Sequence, residues 1–547
     1  MSFINIHDLP EQWDLIIIGG GITGAGVFRE ATRTGLRVLL LEGMDFAWGT
    51  SSRSSKLVHG GLRYLKEGKF MLTKTSVEER EYLLQEAPGL VELLGFLMPV
   101  YENQTPGKAA LSAGLTIYDI LALEKQHSFH DLQDFIMLLP HITEEGLTGG
   151  FQFFDAQVDD ARLVLRLIDE ACADGGTALN YTRVTAIRRD AHGRVIGVEA
   201  RDTEMQASRT FASSAVINAT GSWAEGLHPS PNSGTHLRPL RGSHLVFPAW
   251  ALPVAQAVCI IHPQDHRPVF IIPWEGAVLF GTTDIDHAND ISQEPAITSD
   301  EVAYLMDCLQ AFFPSLDISL DDCLAAFAGI RPVVSEGKLL PSEESREHIV
   351  WVDEGLITIT GGKLTTFRRM AWDALRAAEP FLPSIRIPDH ATPVFFTPHE
   401  LPGAAHTLSQ HMWRRLCGRY GEKARGIVWS ATPEDCSLIP GTHTLWAEIV
   451  HAAQNEHVRH LDDLLLRRVR IGLTTPGGGS TFIPRIQKLC EAALPWDTQR
   501  WHEEITRYCD IINRAYSLPS RKITFPEKKK RFSVESLQHA FRRLFRR

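Results

Sequence analysis

Residues 13–43 read WDLIIIGGGITGAGVFREATRTGLRVLLLEG, and this stretch decides the fold. An apolar strand, Leu15 to Ile18, runs into Gly19, Gly21 and Gly24 at GxGxxG spacing. A helix-compatible stretch then leads to a second apolar strand, Val38 to Leu41, which ends at Glu42. Each part has a physical task in holding a dinucleotide. Gly19 permits the tight turn, Gly21 lets backbone approach a pyrophosphate, and Gly24 lets helix pack on strand. The helix N-terminus offers N–H groups and the positive end of its dipole to phosphate oxygens. Glu42, 18 residues past Gly24, can accept hydrogen bonds from a ribose 2′-hydroxyl and disfavours a phosphorylated ribose. The bland alternative is a glycine-rich turn without a ligand.

A chain of 547 residues, 44% of them hydrophobic, has enough apolar side chain for two or three domains. Its eight cysteines are dispersed, with no CxxC pair and no zinc-ligand spacing. They read as thiols of a reducing compartment, and no metal site is expected. No secretory signal is visible, and no apolar run reaches about 18 residues, so no spanning helix is expected. The net charge of −11 argues against nucleic acid as a partner. Residues 528–547 depart from that balance, with eight lysines and arginines against Glu535 alone.

Further along, a serine-rich loop follows Glu42, residues 73–97 read as helix, and 107–124 as a second, apolar helix. Another helix is expected from Asp159 to Ala173. TRVTAIRRD and RVIGVEARD then form a hairpin leading to the strand AVINATG, a meander that often accompanies an FAD-binding Rossmann half. Residues 241–284 read as antiparallel strands with one face on a pocket. A helix near 300–312, the strand AAFAGIRPVV and a hairpin turning at Asp353–Gly355 come next. ITITGGKLTTFRRMAWDAL repeats the strand–glycine–helix geometry of residue 19. Proline-containing segments near 380–403 mark a linker, and 405–516 is largely helical. The predicted class is α/β, with a discontinuous FAD-binding Rossmann-type domain from 1–70, 150–235 and 325–385. An antiparallel-sheet substrate domain is expected from 71–149 and 236–324, a C-terminal helical domain at 395–520, and a basic amphipathic tail at 526–547.

At SSRSSKLVHGGLRYL, residues 51–65, the sequence resembles the FAD-dependent glycerol-3-phosphate dehydrogenases, the membrane-associated, quinone-reducing branch. The likeness extends through VDDARL (158–163), NATG (218–221), RGSH (241–244), IPW and GTTD (272–284), GIRP (329–332), GGKLTT (361–366) and EHVRHLDDLLLRR (456–468). It implies oxidation of the C2 hydroxyl of sn-glycerol 3-phosphate to a ketone, with hydride passing to N5 of FAD and electrons to a quinone. Arg63 is the leading phosphate ligand, because its planar fork suits two-point contact with phosphate oxygens, and Tyr64 stands beside it as a hydroxyl donor. The resemblance implies that Arg331 and Lys363 lie in the active site, where a cation also stabilises developing alkoxide charge. His244 is the preferred base, since imidazole titrates near working pH, with His59 as its rival. Thr283 is expected at the substrate, shaping the pocket with Thr282 and Asp284. Cofactor contacts are expected from Thr50, Ser51, Ser52 and Ser55 of the serine loop. The resemblance adds Lys56, Leu57, His59, Gly60, Val184, Gly221, Gly362, Lys363, Leu364 and Thr365.

In the tail, Val534, Leu537, Phe541, Leu544 and Phe545 share one helical face preceded by KKKR. Such a basic amphipathic helix suits an anionic membrane surface, the competing reading being a helix packed on the acidic body. A protein peripheral to the inner face of the cell membrane, in the cytoplasm, is expected, with a homodimer left open. The competing functions are a glycerophosphate oxidase using O₂ and a non-catalytic FAD-binding, membrane-associated protein.

Overall fold

A computed structural model describes residues 5–523 apart from Glu67, 123–126, 229–235, Glu336, 339–343, 345–346 and 397–407. The side chains of Arg63 and Lys66 and the tail expected at 526–547 lie outside the described residues. Strand Leu15–Ile18 sits inside a six-stranded sheet ordered His348–Asp353, Leu356–Gly361, Val216–Asn218, Leu15–Ile18, Val38–Leu41, Thr177–Leu179. Neighbours run parallel except for the first pair. LIII and VLLL lack polar alternation because both faces of the sheet are covered. Helices Ile22–Thr32, Asp160–Ala173 and Phe367–Ala378 share a core on one side, built on Phe28, Leu163, Leu167, Met370 and Leu375. The antiparallel meander Thr182–Arg189, Val195–Asp202, Ser208–Ala212 closes the other side through Val184, Val198 and Phe211.

A second sheet of ten strands carries the chemistry-bearing segments. It is mixed, where an antiparallel sheet was expected: Ala257–Ile261 runs parallel to Val91–Tyr101, and its other strand pairs are antiparallel. Ala325–Val334, expected with the cofactor-binding segments, pairs instead along Leu237–Pro248 in this sheet. Leu147–Val158 likewise pairs along Val91–Tyr101. Both are long strands whose register is fixed by extended pairing, and Ala325–Val334 also packs against Leu356–Gly361 of the first sheet.

Two other expectations are corrected. The helix expected over 73–97 is Phe70–Glu86 followed by strand Val91–Tyr101. Pro88 disfavours helix at Ala87, and Gly89 turns the chain at φ +89°, so the apolar run beyond them enters the sheet. The linker expected near 380–403 is, up to residue 396, a strap. Val394 and Phe395 are buried, Arg29 Nε donates to Val394 O at 2.8 Å, and Val394 N donates to Glu86 at 2.8 Å. The helical domain follows, from Gln410–Tyr420 to Thr498–Ala515.

Candidate active site

The glycine turn is as tight as its spacing predicts. Gly19 has φ +106°, and a Cβ there would lie 2.7 Å from Ala219 O. A Cβ on Gly24 would lie 1.8 Å from Gly19 O, so helix and strand touch backbone to backbone. Ser51 Oγ accepts the Ile22 N–H at 2.9 Å and would stand 3.2 Å from a Cβ on Gly21. The serine loop and the glycine turn therefore face each other across the helix N-terminus. Thr50 Oγ1 donates to Ile330 O, and Gly329 leaves room for this approach, since a Cβ there would lie 2.6 Å from Arg53 O. The Glu42 carboxylate accepts from Gly20 N at 2.6 Å and Met44 N at 2.7 Å. Burial pushes its pKa up, against those two hydrogen bonds. A turn no side chain can enter, a helix end and a carboxylate closing the second strand fit the ADP half of FAD.

Lys363 follows Gly361 and Gly362, both left-handed at φ +81° and +71°, a region that favours glycine. Its ammonium lies 3.7 Å from the centre of the Tyr64 ring and donates to Ser76 Oγ at 3.1 Å. Ser76 escaped the sequence reading, because it lies 287 residues from Lys363 on a helix with no motif. His59 stands in the same group: Thr365 Oγ1 donates to His59 O at 3.5 Å. Burial, reinforced by the Lys363 charge, lowers the His59 pKa to about 4. Gly60 N donates to Tyr118 OH at 3.0 Å and Asp155 at 3.2 Å, anchoring the turn. Arg63 lies on helix Leu62–Lys66, next to Tyr64.

Arg331 projects from the second sheet over Gly242, where a Cβ would lie 2.4 Å from Nη2. Its Nη1 pairs with Asp284 at 2.7 Å, and Nη2 donates to Thr282 Oγ1 at 3.2 Å. Pro332 packs beside Gly221, whose carbonyl accepts from Thr360 Oγ1 at 3.0 Å. The strand ends bearing Arg331 and Lys363 thus meet at the NATG turn. His244 is 1% exposed, stacked on Phe327 at 4.8 Å, with Nε2 at 2.9 Å from Ser55 Oγ. Burial, then the charges of Arg331 and Lys56, hold its pKa well below the usual imidazole value.

Three expected side chains are engaged elsewhere. Thr283 is buried, donates to Glu301 Oε1 at 2.7 Å and accepts from Ser243 N at 2.9 Å, so its hydroxyl ties the sheet to helix Ser299–Phe312. Lys56 Nζ is buried against Asp160 at 2.7 Å. The Val184 side chain packs in the meander core.

Residues 14–368 match the FAD dependent oxidoreductase family, and 387–501 match the C-terminal domain of alpha-glycerophosphate oxidase. The chain is 34% identical over 486 residues to the aerobic glycerol-3-phosphate dehydrogenase of Staphylococcus haemolyticus, covering 84% of this chain and 86% of that protein. The enzyme of the same name from Staphylococcus aureus is 32% identical over 492 residues, with the same coverage. Among solved structures, the glycerol-3-phosphate dehydrogenase from Bacillus halodurans complexed with FAD superposes with a TM-score of 0.73 at 26% identity, covering 92% of this chain and 95% of that one. The L-alpha-glycerophosphate oxidase from Mycoplasma pneumoniae, with FAD bound, shares the fold at 19% identity and a TM-score of 0.58, covering 71% of this chain and 99% of that one.

Proposed function

The chain belongs to the family of FAD-dependent glycerol-3-phosphate dehydrogenases, and from that premise we propose that it oxidises sn-glycerol 3-phosphate to dihydroxyacetone phosphate and passes the electrons to a membrane quinone. The observation that carries the reading is the pair of anchored cations, Lys363 over Tyr64 and Arg331 on Asp284, at strand ends that meet beside the glycine cradle. FAD bound in that cradle supplies the hydride acceptor at N5. Two fixed cations hold a phosphorylated alcohol in one orientation and stabilise negative charge on its C2 oxygen as the hydride departs. Arg63, on the helix that carries Tyr64, is assigned to the phosphate.

For the hydroxyl proton, the geometry favours His59 over His244. The His244 imidazole is buried, with its Nε2 2.9 Å from Ser55 Oγ. His59 is half-buried beside Lys363 and, with its pKa near 4, carries a free lone pair at neutral pH. A bound phosphate dianion favours the protonated ring and raises that pKa toward working range.

The described residues include no helix long and apolar enough to cross a membrane. Surface attachment is supported by helix Lys108–Ala122, which leaves Ile117 and Ile120 exposed, and by exposed Phe70 and Met71. Anaerobic addition of glycerol 3-phosphate should bleach the flavin, where glycerol, amino acids and other polyol phosphates do not. With the same preparation, quinone reduction should exceed peroxide yield. No bleaching would leave a non-catalytic flavoprotein, and stoichiometric peroxide an oxidase.

A further inference from the structure

Two sequence motifs, VDDARL at 158–163 and EHVRHLDDLLLRR at 456–468, take no part in the chemistry above, yet they converge on the serine loop. Asp159 caps helix Asp160–Ala173 by accepting from Arg162 N. Asp160 accepts from Ser54 N at 2.9 Å and Ser54 Oγ at 2.7 Å, and pairs with Lys56.

The helical domain reaches the same loop at three points. Arg467 and Arg468 close on Asp45, with Arg468 Nη2 at 2.8 Å from Oδ1. Arg470 Nη2 donates to Ser52 O at 2.8 Å and Asp160 Oδ1 at 3.2 Å, while Nη1 holds Leu466 O at 2.8 Å. Arg470 has φ +63°, uncommon for a non-glycine residue and sustained here by these contacts. The Tyr516 hydroxyl accepts from Arg53 Nη2 at 2.9 Å and Nε at 3.1 Å. All of these side chains are buried. The Ser52 carbonyl, shared between Lys56 Nζ at 2.7 Å and Arg470, fixes the backbone beside Ser51, which meets the helix N-terminus.

We propose that the helical domain is a structural part of the FAD site, with Arg470 and Tyr516 as positioning residues that hold the serine loop in the shape that receives the pyrophosphate. The proposal rests on FAD occupying the glycine cradle. It predicts that side chains remote from the cofactor control its retention.

The test follows flavin fluorescence on dilution of the full-length, FAD-loaded protein, comparing wild type with Arg470→Ala, Arg470→Lys, Tyr516→Phe and Arg485→Ala. FAD uptake by the wild type is the separate check on the cradle. Arg485 belongs to the helical domain but pairs with Glu434 and Asp435, and reports general loosening of that domain. Release should quicken about tenfold or more in Arg470→Ala, which loses a charge-assisted hydrogen bond and a cation beside buried Asp160. Arg470→Lys should recover part of that loss. Tyr516→Phe, which removes a single hydroxyl, should release FAD about threefold faster and decides the matter should Arg470→Ala not fold. Arg485→Ala should match wild type. Wild-type release from Tyr516→Phe and from every folded Arg470 variant would overturn the proposal, as would equal acceleration by Arg485→Ala.

Discussion

Gly24→Ala probes the cradle most directly. The added Cβ would lie 1.8 Å from Gly19 O, whereas ordinary contact begins at 3.4 Å, so the two backbones must part by about 1.6 Å. Either helix Ile22–Thr32 withdraws or the Gly19 turn opens. Both carry the N–H groups at the helix end out of hydrogen-bonding reach of a pyrophosphate held by the rest of the site. A hydrogen bond to a charged acceptor contributes about 1.5–3 kcal/mol. Losing one weakens FAD binding roughly tenfold to hundredfold, and overpacking costs folding a further ~1–3 kcal/mol. Gly114→Ala is the matched control: it lies in helix Lys108–Ala122 with nothing within 4 Å of its Cβ. That change should leave FAD affinity alone and stabilise the helix by up to about 1 kcal/mol. Quenching of flavin fluorescence on titration into apoprotein reads both. A Gly24→Ala protein that binds FAD within threefold of wild type would refute the steric reasoning.

Four further outcomes are expected. Asp284→Asn should lower kcat/KM for glycerol 3-phosphate about tenfold or more in a dye-reduction assay, with FAD binding kept, because Arg331 loses its charged anchor; an unchanged kcat/KM would remove Arg331 from the substrate site. Ser76→Ala should lower kcat/KM about threefold to tenfold by releasing Lys363, and a change in FAD affinity alone would contradict that placement. Burial alone would lower the His460 pKa, but hydrogen bonds to Glu204 and Glu504 override it and hold it at about 10. The stabilisation is complete below the unfolded value near ~6.5 and is lost as pH rises toward 10. Wild type should therefore lose more thermal stability between neutral pH and alkaline pH than His460→Gln does, and parallel losses would disprove the assignment. Deleting residues 528–547 should move protein from membrane to soluble fractions while dye-linked activity persists; unchanged partitioning would reject the tail as the anchor.

What the sequence made legible was local. Gly24 could be read because its constraint is a contact with Gly19 a few residues away, Gly19 because its turn needs a positive φ, and the strands around them because uninterrupted apolar runs between turns have few other uses. The run at 91–97 misled because its apolar residues, interrupted at Glu92 and Gly95, keep no clean period to separate helix from strand; Pro88 and Gly89 were the available signal. Side-chain partners across the chain could not be read. Nothing near Lys56 announces Asp160, 104 residues away, and nothing near Thr283 announces Glu301. VDDARL and EHVRHLDDLLLRR stood out as patterns, but their shared target, the serine loop, exists only once three parts of the chain are packed together.

The distance along the chain between the Ser52 carbonyl and its Arg470 donor is 418 residues. Ribosomes extend chains at about 5–20 residues per second, so the loop waits roughly 20–80 s after its own synthesis before its last buried donor has been made. During that interval the strands up to Leu356–Gly361 can assemble and the Ser52 carbonyl already has Lys56 Nζ as a partner, but the guanidinium that binds both this carbonyl and Asp160 is still missing. On the proposal that Arg470 holds the serine loop, a chain that stops short of Arg470 lacks one of the contacts that shape the cofactor cradle.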